Sequence, residues 1–426
     1  MRRALAAALL LILTLLAAPA LIAQPAAATS PEAGPSQPVP VPQPSDKAMR
    51  YYRSGNVLWG IETLWDLAVP VLLLFTGFSA RMRNAARKVG RNWLFTVAIY
   101  ALLFTVVTFV LDLPLSYYSG FIRQHAYGLS DQTAAKWWSD AFTGLVIGCI
   151  GSILILWLLY WLIRESPRRW WLSMGLLSVP LIAILLIVTP IWIEPLFNKF
   201  GPMKDKALES QILALADRAG IEGSRVYEVD KSVDTKTINA YVTGVGATKR
   251  IVLWDTILEK LNPDQVAFVA SHEMGHFVLG HVAALIGVIT LLVTLSLYVV
   301  HRLAGRLISR SSDRFGFDRL SDFASLPLLL LLSTAVSLIT TPLVLAYTRH
   351  QEHEADRFGL ELTRDNHAAA TTFVRLQQEN LAVPRPGAWY MLWRSSHPSL
   401  GERVDFANRY RPWAQGQPLR YGKLIR

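Results

Sequence analysis

Ser271-His272-Glu273-Met274-Gly275-His276 reads H-E-x-x-H between apolar runs. On a helix, His272 and His276 fall one turn apart on one face, so two imidazoles can reach one metal ion. Glu273, next to the first histidine, is placed to act on an activated water as general base. The flanks favour a helix. Leu261, Val266, Ala267, Val269 and Ala270 precede the motif, and Phe277, Val278 and Leu279 follow it. Asn262 is a candidate N-cap, Pro263 suits the first helical position, and Gln265 completes a capping box. A buried helix can carry so short a pattern by coincidence, so its meaning rests on the remainder of the chain.

That remainder is membrane-like. Of 426 residues, 52% are hydrophobic and 17% charged, and the apolar residues fall in long blocks. Beyond the N-terminus the blocks run near Leu64–Ala80, Trp93–Val110, Phe142–Leu162, Trp171–Ile191, Val282–Val300 and Leu326–Leu345. Each is about the length a helix needs to cross the hydrocarbon layer. Pro70, Pro180 and Pro342 are tolerated in such helices, and Trp93, Trp171, Trp192 and Tyr298 suit their ends. The expected fold is mainly α: a polytopic membrane bundle with a small α+β domain that carries the H-E-x-x-H helix. The net charge of +11 sits largely in short loops, so membrane orientation explains it better than nucleic-acid binding. Cys149 lies alone within a span and offers no disulfide framework.

Residues 1–28 read as a signal peptide or a first transmembrane helix, with Arg2 and Arg3 before a Leu/Ala-rich run. Residues 29–50, rich in Pro, Ser and Ala up to Asp46, read as a flexible tether. Residues 51–196 hold four spans. Residues 197–426 form the domain that carries the motif, with two more spans. Within it, Lys204–Ala219 has helical periodicity, and Arg225–Val229, Asn239–Thr243 and Arg250–Trp254 read as strands, with a turn at Gly244–Thr248. An exposed strand edge beside a metal site can hold an extended peptide by its backbone; a plain structural hairpin is the simpler alternative. Basic loops at Arg81–Arg91, Arg164–Arg169 and Arg302–Arg319 predict a cytoplasmic side for those loops and a periplasmic one for His272.

Two histidines do not complete a catalytic zinc site, which takes three protein ligands and an open position. The strongest local candidate is Thr348-Arg349-His350-Gln351-Glu352-His353-Glu354-Ala355-Asp356. Glu352 could ligate, and Asp356, one turn on, could fix the tautomer of a ligating imidazole. His353 is a chemically reasonable rival, with His350 and Glu354 further competitors.

Taken in order, these motifs resemble the integral-membrane zinc metallopeptidases that include the type I CAAX prenyl protease and its bacterial relatives. The matching pieces are Glu194-Pro195-Leu196-Phe197-Asn198, then Asn239-Ala240-Tyr241 with Gly244, then Ile251–Thr256, the H-E-x-x-H helix, R-x-x-E-x-x-A-D at Arg349–Asp356, and His397-Pro398 with Glu402-Arg403. The resemblance spans about Tyr51–Phe406. It implies a gluzincin-like domain beside an intramembrane chamber. It implies one Zn2+ per chain on His272, His276 and Glu352, and an edge strand carrying Asn239 and Ala240 that binds substrate. His397 and Arg403 would steady the substrate or the oxyanion. The expected function is zinc-dependent endopeptidase activity on a peptide or protein substrate at the bilayer, with no nucleic acid involved. The segment Lys231–Ile238 departs from the eukaryotic version, and so does the outward orientation, which separates the substrate from the prenylated kind. The competing reading is a non-catalytic membrane scaffold, or a lipid- or peptide-binding protein, with a degenerate metal site. A serine hydrolase lacks its G-x-S-x-G turn around Ser271, and a transporter leaves the metal motifs unexplained.

Overall fold

Among the residues described by the computed structural model (37–223, 225–243 and 250–426), six helices are long and apolar enough to cross a membrane. The expected leader at 1–28, the first part of the tether and the turn at 244–248 lie outside those residues. Helix α1 (Asp46–Phe75) is capped by Ser45, whose side chain accepts from the Ala48 amide. Gly77, at φ 66°, separates the helices, and the basic residues that follow form an amphipathic helix of their own, α2 (Phe78–Val89). The expected span Leu64–Ala80 is therefore displaced: its helix begins 18 residues earlier and stops before Gly77. Helix α3 (Trp93–Ala126) also outruns its apolar block, through a π-turn at Tyr118–Ile122. Much of Pro114–Asp140, which lies between two apolar blocks of the sequence, is thus helical. Helices α4 (Ala134–Glu165) and α5 (Trp170–Leu196) complete the first four spans.

A small sheet follows. Strand β1 (Phe200–Pro202), helix α6 (Lys206–Arg218), β2 (Arg225–Val229), β3 (Ala240–Thr243) and β4 (Arg250–Trp254) assemble in the order β1-β2-β4-β3. The β2–β4 pair is parallel, and β3 runs antiparallel to β4 with Ala240 opposite Leu253. The three strands read from the sequence are present, and β1 is an addition too short to show periodicity. Strand β3 is an edge. Helix α7 (Asp255–Lys260) leads into α8 (Pro263–Val278), where both halves of the Asn262/Gln265 capping box form.

Gly280 ends α8 with φ 67°, and helix α9 (His281–Phe315) returns through the membrane. The last span, α10 (Leu326–Thr363), continues without a break past the apolar block and carries Glu352 and Asp356. Helices α11 (Asn366–Glu379), α12 (Ala388–Trp393) and α13 (Leu400–Arg409) close the domain. The protein is thus a mainly helical polytopic membrane bundle with a small mixed α+β domain.

Helices α8 and α10 cross at backbone contact. A Cβ on Gly275 would sit 3.2 Å from the Ala355 Cα, and one on Gly359 would sit 3.1 Å from the His272 nitrogen. Small residues at both points let the axes approach closely, which brings side chains of the two helices onto one centre. The apolar positions of α8 and β4, among them Val266, Ala270, Met274, Ile251 and Leu253, pack with Phe358 and Leu362 of α10 in one core.

Polar nodes fix the ends of the bundle. At one end Arg83 of α2 donates to Asp322 at 2.6 Å, and Ser79 donates to the Ala324 carbonyl. At the other, Asp234 accepts from Asn198 at 2.8 Å, Lys231 at 3.0 Å and Gln132 at 3.2 Å, while its carbonyl accepts from Ser130. The basic loops therefore gather at the end opposite the sheet. One expectation is corrected. Residues 38–45 of the tether are held against the domain: Val39 exchanges two hydrogen bonds with the Asn408 side chain, and Gln377 donates to the Pro42 carbonyl. Val39 and Val41 also pack on the cluster of Phe268, Phe373 and Val404. The lack of periodicity reflects an irregular, proline-rich strap whose partners are remote in sequence.

Two outcomes are expected. Gly275→Val should force α8 off α10 and lower thermal stability by about 1–3 kcal/mol, the usual cost of overpacking. Retention of metal in detergent should fall with it, and unchanged melting and metal content would show that the crossing has slack. Burial alone would raise the carboxyl pKa of Asp234, but Asn198, Lys231 and Lys136 together hold it below the ordinary aspartate value. A depressed folded value means the stabilisation is present above the unfolded pKa and lost as pH falls through the folded one. Asp234→Asn should therefore destabilise by about 1–3 kcal/mol at pH 7, with the difference beginning to shrink below about pH 4 and lost as pH falls through the depressed folded value. Melting curves of both proteins across that window check it.

Candidate metal centre

The site is assembled from α8, α10 and the loop before α13. His272 and His276 project from α8 with Nε2 atoms 3.3 Å apart. Glu352 of α10 faces them, with Oε2 3.3 Å from His272 Nε2 and Oε1 3.4 Å from His276 Nε2. Among the described residues this trio forms a group able to hold a metal ion. His353 is turned elsewhere, stacking its ring 4.4 Å from Phe406 and accepting from Arg357.

The proton inventory favours a cation at the centre. His272 Nδ1 faces Asp356 Oδ1 at 2.9 Å, so in the neutral ring its proton belongs there and the Nε2 lone pair points inward. His276 Nδ1 lies 3.1 Å from His281 Nδ1, and in the tautomer in which His281 accepts, the His276 Nε2 lone pair also points inward. Glu352 Oε2 is buried and makes no well-aligned hydrogen bond, with the Nε2 atoms of His272 and His397 3.3 and 3.2 Å away. Imidazole nitrogens and a carboxylate thus converge on one point, an arrangement that positive charge satisfies. The surroundings of His272 show the same demand. Burial pulls the imidazole pKa down, yet the Asp356 and Glu352 carboxylates outweigh it and push the value up to about 10.

Behind the ligands lies a supporting layer. Arg403, 7% exposed, grips Asp356 through Nε at 2.8 Å and Nη2 at 2.6 Å, and lies over the Phe373 ring. Asp356 is thereby fixed from both sides. Arg349 donates to the carbonyls of Met391 at 2.6 Å and Ser395 at 2.8 Å, anchoring the segment that leads to His397. His397 Nε2 reaches Glu352 Oε2 at 3.2 Å.

A cavity of about 570 Å³ opens on this centre. Its walls include His272, Glu273, His397 and Arg403, and also Asn239 and Ala240 at the start of the edge strand. Of the residues read from the sequence, His272, His276 and Glu352 form the cluster, Asp356 and Arg403 stand behind it, and Glu273, His397, Asn239 and Ala240 line this cavity. The Glu273 carboxyl is raised in pKa above its ordinary value, first by burial, with the Glu352 charge adding to it. Three contributors escaped the sequence reading. His281 lies beyond the Gly280 break, so no helical spacing connects it to His276. Arg349 was visible in a motif, but its carbonyl partners are 42 and 46 residues away. Gln351 donates to the His281 carbonyl at 3.0 Å and fixes that second histidine.

Comparison with known proteins places this geometry. Residues 202–411 match the model of peptidase family M48, and residues 41–199 match that of the CAAX prenyl protease N-terminal region of five membrane helices. The chain is 37% identical over 377 residues to the uncharacterized metalloprotease YhfN of Bacillus subtilis, covering 88% of each. It is 28% identical over 371 residues to CAAX prenyl protease 1 of Saccharomyces cerevisiae, covering 80% of this chain and 76% of that one. The crystal structure of S. mikatae Ste24p superposes with a TM-score of 0.72 at 23% identity, covering 84% of this chain and 87% of that one. With both family models matched in tandem and a His/His/Glu cluster on the crossing of α8 and α10, the chain belongs to the M48 peptidase family, in its CAAX protease group.

Proposed function

We propose that the protein is a zinc-dependent membrane endopeptidase that hydrolyses peptide bonds of an extended peptide or protein substrate. The observation that carries this reading is the convergence of His272, His276 and Glu352 in a cavity that also exposes Glu273 and an edge strand. The donor set suits zinc. Mutual spacings of 3.3–3.4 Å match the edge of a tetrahedron with zinc–ligand bonds of about 2.0–2.1 Å. When bound, zinc supplies a Lewis acid that acidifies water and polarises a carbonyl.

The protein's own residues do the rest. Glu273 takes a proton from the attacking water as its oxygen bonds to the scissile carbonyl carbon. It then returns that proton to the departing nitrogen as the C–N bond breaks. A raised carboxyl pKa suits both halves of that transfer. His397, on the cavity wall beside Glu352, is placed to hydrogen-bond the oxyanion. Arg403 is best read as a positioning residue, because its contacts with Asp356 orient His272. Asn239 Oδ1 accepts from the Ala240 amide, and a substrate strand would take over that donor. Six alternating spans with basic loops at the far end favour a periplasmic site in a bacterial inner membrane.

Three measurements test this. Purified protein should hold about one zinc per chain. Glu352→Ala should lose it and His353→Ala should keep it, and the opposite pattern would remove Glu352 as ligand. Zinc-loaded Glu273→Gln should retain fold and metal while turnover of a cleaved peptide falls at least about 10²-fold. Near-wild-type cleavage by that variant would eliminate Glu273 as the base. For orientation, Lys206→Cys should react with an impermeant thiol reagent in intact cells; labelling only after lysis would put the domain in the cytoplasm.

A further inference from the structure

The cavity holds a second charged group that takes no part in the metal cluster. Arg123, near the end of α3, is 7% exposed. Its Nη2 donates to the Tyr51 carbonyl at 2.7 Å and to Ser54 Oγ at 3.4 Å, and its guanidinium lies 3.8 Å from the centre of the Tyr51 ring. Its Nε is buried and has no hydrogen-bond partner. Arg394, three residues before His397, donates through Nη1 to Asn56 Oδ1. The two guanidinium groups meet over Gly55 of α1. A Cβ there would lie 3.1 Å from Arg123 Nη2 and 3.8 Å from both Arg394 Nη1 and Nη2. Both arginines line the cavity that contains Glu273. Among the described residues, no carboxylate pairs with either.

Two like charges brought together in a largely buried place, one with an orphaned N–H, are costly unless an anion joins them. Guanidinium forks match a carboxylate in shape and donor spacing. Gly55 removes the side chain that would otherwise fill the space between α1 and the two arginines. We propose that Arg123 and Arg394 form an anion subsite that holds a carboxylate of the bound peptide and so sets where the peptide lies against the catalytic centre. The inference rests on the peptidase reading for the carrier of the anion. The same cavity presents Asn239 and Ala240 to an extended backbone, which favours a peptide over a lipid. The carboxylate has two sources, a chain terminus or an acidic side chain.

The test uses the full-length protein carrying Glu273→Gln, in zwitterionic nanodiscs. The probe is a fluorescent eight-residue alanine–valine peptide in three forms: free C-terminus, C-terminal amide, and C-terminal amide with one internal glutamate. Binding is read by anisotropy. At least one acidic form should bind about tenfold or more tighter than the neutral amide. Adding Arg394→Gln should weaken the acidic form toward the neutral one and leave the neutral one unchanged. Arg394→Lys should restore part of the difference. Arg123→Gln should act in the same direction, and Arg394, being less buried, serves if that variant fails to fold. Whichever acidic form wins identifies the source. Equal binding of all three forms, binding of none, or equal weakening of all three by Arg394→Gln would overturn the subsite. So would loss of the acid preference in phosphatidylglycerol nanodiscs alone, which would assign the arginines to lipid phosphate. Cleavage of the same peptides by zinc-loaded wild type is scored separately. Acid preference without cleavage counts against the peptidase reading, and cleavage without acid preference counts against the subsite.

Discussion

The metal centre depends on how closely two helices cross. Gly275 rests on Ala355 and Phe358, and Gly359 rests on the backbone of His272. Only with side chains this small at the crossing can His272 and His276 on α8 meet Glu352 on α10 within hydrogen-bonding range. The crossing is held by apolar packing rather than by the site itself. Val266, Ala270, Met274, Phe358 and Leu362 belong to one buried cluster with the strands. The energetically favourable burial of these residues therefore offsets the cost of crowding two imidazoles against two carboxylates in a dry place.

Around that crossing the protein has invested in fixed orientation. Asp356 is held by Arg403 before it faces His272, and His276 is backed by His281, whose carbonyl is tied down by Gln351. Arg349 holds the backbone leading to His397. Each of these contacts acts on a functional group through another residue. Such layers limit the motion of ligands and so reduce what must be reorganised when charge develops at the centre.

Helix α10 also joins the bilayer to the chemistry. It runs without interruption from Leu326 in the apolar region to Thr363 beyond the site, so Glu352 is rigidly connected to a membrane span. Asp234 makes a second connection, tying the start of α4 to the loop before β3. The strap of residues 38–45 makes a third, on the outer face of α11 and α13. A cavity bounded by α1, the edge strand and α8 then draws walls from both the bundle and the domain. A substrate in it would meet both environments at once.

What could be read in the sequence was local or periodic. The H-E-x-x-H helix, its capping box, the three main strands and the existence of six spans follow from spacings of two to about twenty residues, which the backbone translates directly into geometry. Asp356 was legible for the same reason, one helical turn from Glu352. The ends of the spans were not, because Gly77 and the π-turn at Tyr118–Ile122 act through backbone conformation rather than hydropathy. Spacing alone left Glu352 and His353 open and the motif resemblance favoured Glu352; adjacent residues on a helix point about 100° apart, and only the tertiary structure shows which one faces α8. The strap, the His276–His281 contact and the meeting of Arg123 with Arg394 over Gly55 were equally invisible. Each joins residues across a helix break or hundreds of positions, and nothing in a linear pattern encodes a contact whose two halves are brought together only by the packing of the folded chain.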